Sequence, residues 1–126
     1  MERHFWSYFG VIALGLALSA CAEDRKDKVA NPASANCVEQ GGTLEIESRG
    51  DGGQYGICHL ADGRACEEWA LMRGQCPKDG ADIAGITDVQ ARYCVLQGGQ
   101  LVLDKAECRL PDGKQCSLGA LYGGTC

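Results

Sequence analysis

CVEQGGTLEI at residues 37–46 and CVLQGGQLVL at 94–103 are one phrase written twice, and CHLADGRACEEWALMRGQC at 58–76 pairs in the same way with CRLPDGKQCSLGALYGGTC at 108–126. Cys, Val, Gln, Gly-Gly, Leu, Asp-Gly and Ala-Leu stay in register, so the chain reads as an internal duplication. The cysteines agree: 20, 7 and 9 residues separate Cys37, Cys58, Cys66 and Cys76, and 13, 7 and 9 separate Cys94, Cys108, Cys116 and Cys126. The second unit is the first with seven residues deleted between its first two cysteines.

Each unit predicts an α-β-β-α order, which makes the chain an α+β protein of small disulfide-rich modules in tandem. In the first, Asn31 caps a helix with Pro32 at its first position, and the helix runs to about Gln40, before Gly41-Gly42. In the second, Thr87 and Gln90 read as a T-x-x-Q capping box ahead of Gly98-Gly99. Thr43–Glu47 and Tyr55–Leu60 alternate and flank the turn-rich residues 48–53, so they predict a hairpin; its counterpart pairs 100–103 with 107–110 across Asp104-Lys105-Ala106. Ala61-Asp62-Gly63 and Pro111-Asp112-Gly113 are turns into a second helix, closed by Gly74 in one unit and Gly124 in the other. Leu44, Ile46, Leu60, Trp69 and Leu71 are the expected core of the first unit. The connecting PKDGADIAGI lacks alternation, so 77–87 reads as a linker between a first repeat at 31–76 and a second at 88–126.

With nine cysteines, 18 glycines and 6% aromatics in 126 residues, the chain buries little apolar surface and needs covalent help. Four cysteines per unit allow three pairings, and the repeated spacing predicts the same pairing in both units with none crossing between them. A tetrahedral zinc site is disfavoured because no close C-x2-C pair exists, and the same absence argues against thiol redox catalysis. No metal and no cofactor are expected. The net charge of −5 offers no basic stripe for nucleic acid.

The ninth cysteine has another role. FWSYFGVIALGLAL at 5–18 is too short to span a bilayer and reads as the apolar core of a signal peptide covering 1–20. Leu18-Ser19-Ala20-Cys21 resembles a bacterial lipobox, which makes Cys21 the lipidated residue, and the charged residues 21–30 a tether. Ala22 after the cysteine points to the outer membrane by resemblance to lipoprotein sorting signals. Removing 1–20 takes away Glu2 and Arg3 and leaves the charge at −5.

No catalytic constellation emerges. His59 is the one histidine after residue 20, sits in a predicted strand, and has Arg109 as its counterpart. Glu67 and Glu68 open a helix where negative charge suits the dipole, and Ser117 and Leu118 replace them. Trp69, replaced by Gly119, is expected to pack in the core. The chain is therefore expected not to be an enzyme.

Residues 31–34, NPAS, followed by CVEQGGTLEI, GDGGQYGIC and DGRACEEWALMRGQC, resemble the bacterial domain-of-unknown-function family 333, whose members are small exported proteins and lipoproteins often labelled hemolysins. The resemblance is close over 31–76 and looser over 88–126. It implies export, a small cysteine-rich domain and a lipoprotein context, with no mechanism. The expectation is a non-catalytic envelope lipoprotein that meets the membrane through its lipid and binds an envelope protein or ligand. The alternative is a secreted hemolysin-like or protease-inhibitor-like factor, with the 49–54 tip as its reactive loop. Pore formation would need spanning strands or a long apolar helix, which the mature chain lacks.

Overall fold

The computed structural model describes residues 31–126; the expected signal peptide, with Leu18, Ser19 and Ala20 at its cleavage flank, and Cys21 with its tether to residue 30 lie outside the described residues. The first unit runs α1 (Pro32–Glu39), β1 (Thr43–Ser48), β2 (Gln54–His59), β3 (Arg64–Glu67), α2 (Glu68–Met72), followed by β4 (Ala81–Asp82). The second runs α3 (Val89–Leu96), β5 (Gln100–Val102), β6 (Glu107–Arg109), β7 (Gln115–Ser117), α4 (Leu118–Tyr122). The sheets are antiparallel with orders β1-β2-β3-β4 and β5-β6-β7. The α+β class and the small stapled units of the sequence reading hold.

Each unit has one strand more than the sequence suggested. The Asp62-Gly63 turn reverses the chain so tightly that Leu60 N–H donates to Arg64 C=O at 2.7 Å. Residues 64–67 then pair with β2 instead of starting the helix, which places Cys66 directly opposite Cys58; Cys116 lies opposite Cys108 in the same way. A four-residue strand running straight into a helix leaves too short a window for its period to be read. The connecting segment also contributes: Arg64 pairs with Asp82 and Ala65 with Ala81.

The disulfides are Cys37–Cys58, Cys66–Cys76, Cys94–Cys108 and Cys116–Cys126. The pairing is the same in both units and never crosses, as the spacing predicts. One bridge ties the first helix to the middle strand, and the other ties the third strand to the segment after the second helix.

The glycine pairs divide their labour. Gly41 and Gly98 take φ of +82° and +84°, which terminates each first helix. Gly42 and Gly99 serve the staple: a Cβ on Gly42 would lie 2.9 Å from Cys37 Sγ and collide with Cys58 Sγ, and one on Gly99 would meet Cys94 Sγ at 2.9 Å and Cys108 Sγ. Helix termination therefore accounts for only the first glycine of each pair.

Three details differ from expectation. The second unit's first helix is capped by Asp88, whose Oδ2 accepts from Ala91 N–H at 2.9 Å, and not by Thr87. Asp88 is the register equivalent of Asn31, and an acceptor already at that position makes Thr87 redundant. Ile46 is 52% exposed, because the sheet face it occupies extends beyond the apolar cluster around Leu44. Trp69 is 37% exposed; Ala70 and Leu71 fill the core in its place, and Leu44 and Leu60 pack against them.

The units are not beads on a string. Tyr55, Ile57 and Ala65 of the first sheet form one apolar cluster with Tyr93 and Leu96 of α3, against which Leu121 and Tyr122 of α4 pack. Tyr93 packs edge-on against Tyr55 and Tyr122, with centroids at 4.9 and 5.6 Å. The longer β1–β2 hairpin reaches across as an arm: Tyr122 Oη donates to Ser48 C=O at 3.0 Å and Gly50 N–H donates to Tyr122 C=O at 3.3 Å.

Candidate functional site

At this junction lies a polar cleft of about 380 Å³. Its floor is Glu67 and Glu68, 5% and 4% exposed, the buried charged residues of the described chain. Glu67 ends β3 and caps α2, its Oε2 accepting from Ala70 N–H at 2.8 Å. Burial pushes its carboxyl above the ordinary 4.5, against the backbone N–H groups that hold it charged.

Glu68 looks the other way along the unit. Its Oε1 accepts from Asn31 Nδ2 at 3.1 Å and its Oε2 from Ser34 Oγ at 2.6 Å. Asn31 meanwhile accepts from Ala33 and Ser34 N–H at 2.9 and 3.3 Å, so a single carboxylate locks the capped start of α1 onto α2. Gly56 makes room: a Cβ there would lie 2.6 Å from Glu68 Cδ. The sequence reading assigned Glu68 to the helix dipole; its tertiary task is to join NPAS to CEEW.

The walls come from four elements. Arg49, on the hairpin arm, has Nε 3.3 Å from Asp51 Oδ1 and no well-formed hydrogen bond on that buried nitrogen. The Tyr93 hydroxyl, more than Asp51, raises its guanidinium further above the ordinary value. Arg73, at the end of α2, donates from Nε to Gln75 Oε1 at 3.0 Å. Trp69 flanks the cleft, and α3 closes it with Tyr93 and Gln97. Burial, then the hydrogen bond from Tyr55 Oη to Glu47 Oε2 at 3.1 Å, raises the Tyr55 phenol.

Two larger grooves, about 540 Å³ beside Asp62 and Lys78 and about 500 Å³ beside Met72 and Gln75, lack buried charged groups. His59 does not line the cleft and pairs with Glu45 Oε1 at 2.9 Å on an exposed strand face. In the suspected tip, 49–54, Gly50 N–H donates to Tyr122 C=O of α4, while Asp51, Gly52 and Gln54 are exposed. Among the described residues no group of His, Cys, Asp or Glu is arranged to hold a metal, and no helix is long and apolar enough to cross a membrane. The cleft itself was missed because its residues come from both units; the run Glu67-Glu68-Trp69, which has no counterpart in the second unit, was the available signal.

Fold and cleft together define a small, disulfide-stapled α+β protein with a polar site at the junction of its two units. The sequence model of the family described as Domain of unknown function (DUF333) matches residues 28–75. Uncharacterized protein YdbJ of Escherichia coli strain K12 is 30% identical over 89 residues, covering 60% of this chain and 97% of the relative, and YdbJ of Escherichia coli O6:H1 matches to the same extent. The chain belongs to the DUF333 family. No solved structure matches it.

Proposed function

We propose that this chain is a non-catalytic cell-envelope lipoprotein, anchored at the outer membrane through acylated Cys21, that uses the cleft at the junction of its units as a binding site. The second unit, which the family's sequence model does not reach, is read as a diverged second copy of the same domain. The observation that carries the binding role is the cleft itself, where buried Glu67 and Glu68 meet Arg49, Arg73 and the exposed Trp69. Both carboxylates are already engaged by protein donors, which suits a rigid recognition surface better than proton transfer. Four staples in so small a body fit an oxidising compartment, and rigidity lowers the entropic cost of binding.

Two measurements test the reading. The intact mass of protein extracted from membranes should show an acylated chain beginning at Cys21 that accepts eight alkyl groups only after reduction. A photo-crosslinking residue in place of Gln54, at the cleft, should give a discrete adduct in living cells that one in place of Leu103, 77% exposed, does not. An unacylated chain overturns the anchor, and equal labelling from both positions overturns the cleft as binding site.

A further inference from the structure

Resting on that reading of the cleft as the binding site, we infer that its ligand is an uncharged saccharide segment, held by hydrogen bonds from planar polar side chains beside an exposed indole. The charge balance is the first argument. Two carboxylates and two guanidiniums line the cleft, so its net formal charge is zero. Both signs of charge line the same cleft, so an anion attracted by the arginines is repelled by the carboxylates and a cation attracted by the carboxylates is repelled by the arginines. A neutral polar molecule meets neither barrier.

The donor and acceptor inventory is the second. Gln54 and Gln97 present amides, each with two donors and an acceptor with two lone pairs, and Arg49 and Arg73 present fixed forks of N–H donors. Adjacent hydroxyls on a sugar ring, each both donor and acceptor, match such planar bidentate groups. Among the described residues Arg73 donates through Nε to Gln75, which leaves its terminal nitrogens for a ligand, while the buried Nε of Arg49 faces Asp51 Oδ1 at 3.3 Å.

The indole is the third. Trp69 sits on α2 at the cleft edge, 37% exposed, on a helix whose neighbours Ala70 and Leu71 are buried. An aromatic left at the rim of a polar cleft offers an apolar face for the C–H face of a sugar, while its N–H remains a donor. A volume of about 380 Å³ lies within the range of small-molecule sites and accommodates one or two sugar rings.

Trp6 and Trp69 are the two tryptophans of the chain, so Trp6→Phe leaves Trp69 as the only indole whether or not the first twenty residues are retained. In this oxidised protein, N-acetylglucosamine trimer and maltotriose are titrated separately while Trp69 emission is followed, with sodium acetate, sodium phosphate and ethylammonium chloride as ionic probes. Saturable change with at least one oligosaccharide, weakened tenfold or more by Arg73→Ala and by Gln97→Ala at unchanged urea midpoint, is the expected result. Ligand-observed NMR on Trp69→Phe should show the same saccharide bound more weakly. Silence from both oligosaccharides in fluorescence and NMR, or tighter binding of any ionic probe, overturns the saccharide assignment. A cleft-specific adduct at Gln54 surviving that outcome would leave the binding role standing and remove only the ligand class.

Discussion

At equivalent places in the two units the same backbone frame encloses opposite chemistry. Glu68 begins α2 buried, bonded to Asn31 and Ser34 and facing Gly56. Leu118 begins α4, also buried, in an apolar cluster with Ala91, and Ala106 holds the place of Gly56. The four positions differ as a set: where the carboxylate is lost, its hydroxyl donor and the glycine that accommodates it are lost too. Staples, glycine pairs and strand register are common to both, so they specify the frame. The polar set is an addition to the frame in one unit, and the cleft is built on that addition.

The frame is the place for the largest effect. Removing a buried staple by paired alanine substitutions should cost about 3 kcal/mol in either unit, with Cys37/Cys58 costing a few tenths more than Cys94/Cys108 because its closed segment is longer, 21 against 14 residues in sequence separation. Urea midpoints check this, and a clear reversal would mean that the staples are not equivalent. Next, Glu68→Ala should destabilise by about 2–3 kcal/mol, since Asn31 and Ser34 lose their acceptor. The quadruple variant Asn31→Asp, Ser34→Ala, Gly56→Ala, Glu68→Leu, which installs the second unit's solution, should recover most of that loss; additive damage would show that the two sets are not alternatives.

Gly42→Ala and Gly99→Ala should each cost about 2 kcal/mol, equally in both units, because each methyl meets a disulfide. Unequal midpoints would separate the frames. Tyr122→Phe removes the hydroxyl that holds the arm at Ser48 and should cost about 1 kcal/mol, while increasing amide exchange at 48–53. The smallest effect concerns pH. The Glu67 carboxyl is raised in the folded state, so the folded protein binds its proton more readily than the unfolded chain. Its favourable contribution is complete below the ordinary 4.5 and is lost as pH rises through the raised value. Glu67→Gln, which keeps an acceptor for Ala70, should flatten that part of the stability profile; an unchanged slope would clear Glu67 of the role.

Much of the frame was legible. Asn31-Pro32 predicted the first cap, Gly74 and Gly124 the ends of the second helices, and the repeated spacing the shared disulfide pattern. Each rests on neighbours a few residues apart or on arithmetic the chain displays openly. The third strands were not legible, since four residues between a tight turn and a helix show no period of their own. Trp69 misled because a large aromatic is ordinarily core, and only the packing of Ala70 and Leu71 beneath it revealed that the core was already full.

The sequence by itself determined the repeated cysteine spacing, the first helix cap and the glycines that end the helices, because local conformation acts over short separations. Which cysteines pair, and that Gly42 and Gly99 make room for them, was decided by the tertiary structure. The tertiary structure alone decided that the units share a core, that the longer hairpin is an arm, and that Glu67, Arg49, Trp69 and Gln97 line one cleft. The bond from Tyr122 to Ser48 spans 74 positions, and contacts of that range depend on how two finished faces fit, which no spacing along the chain records.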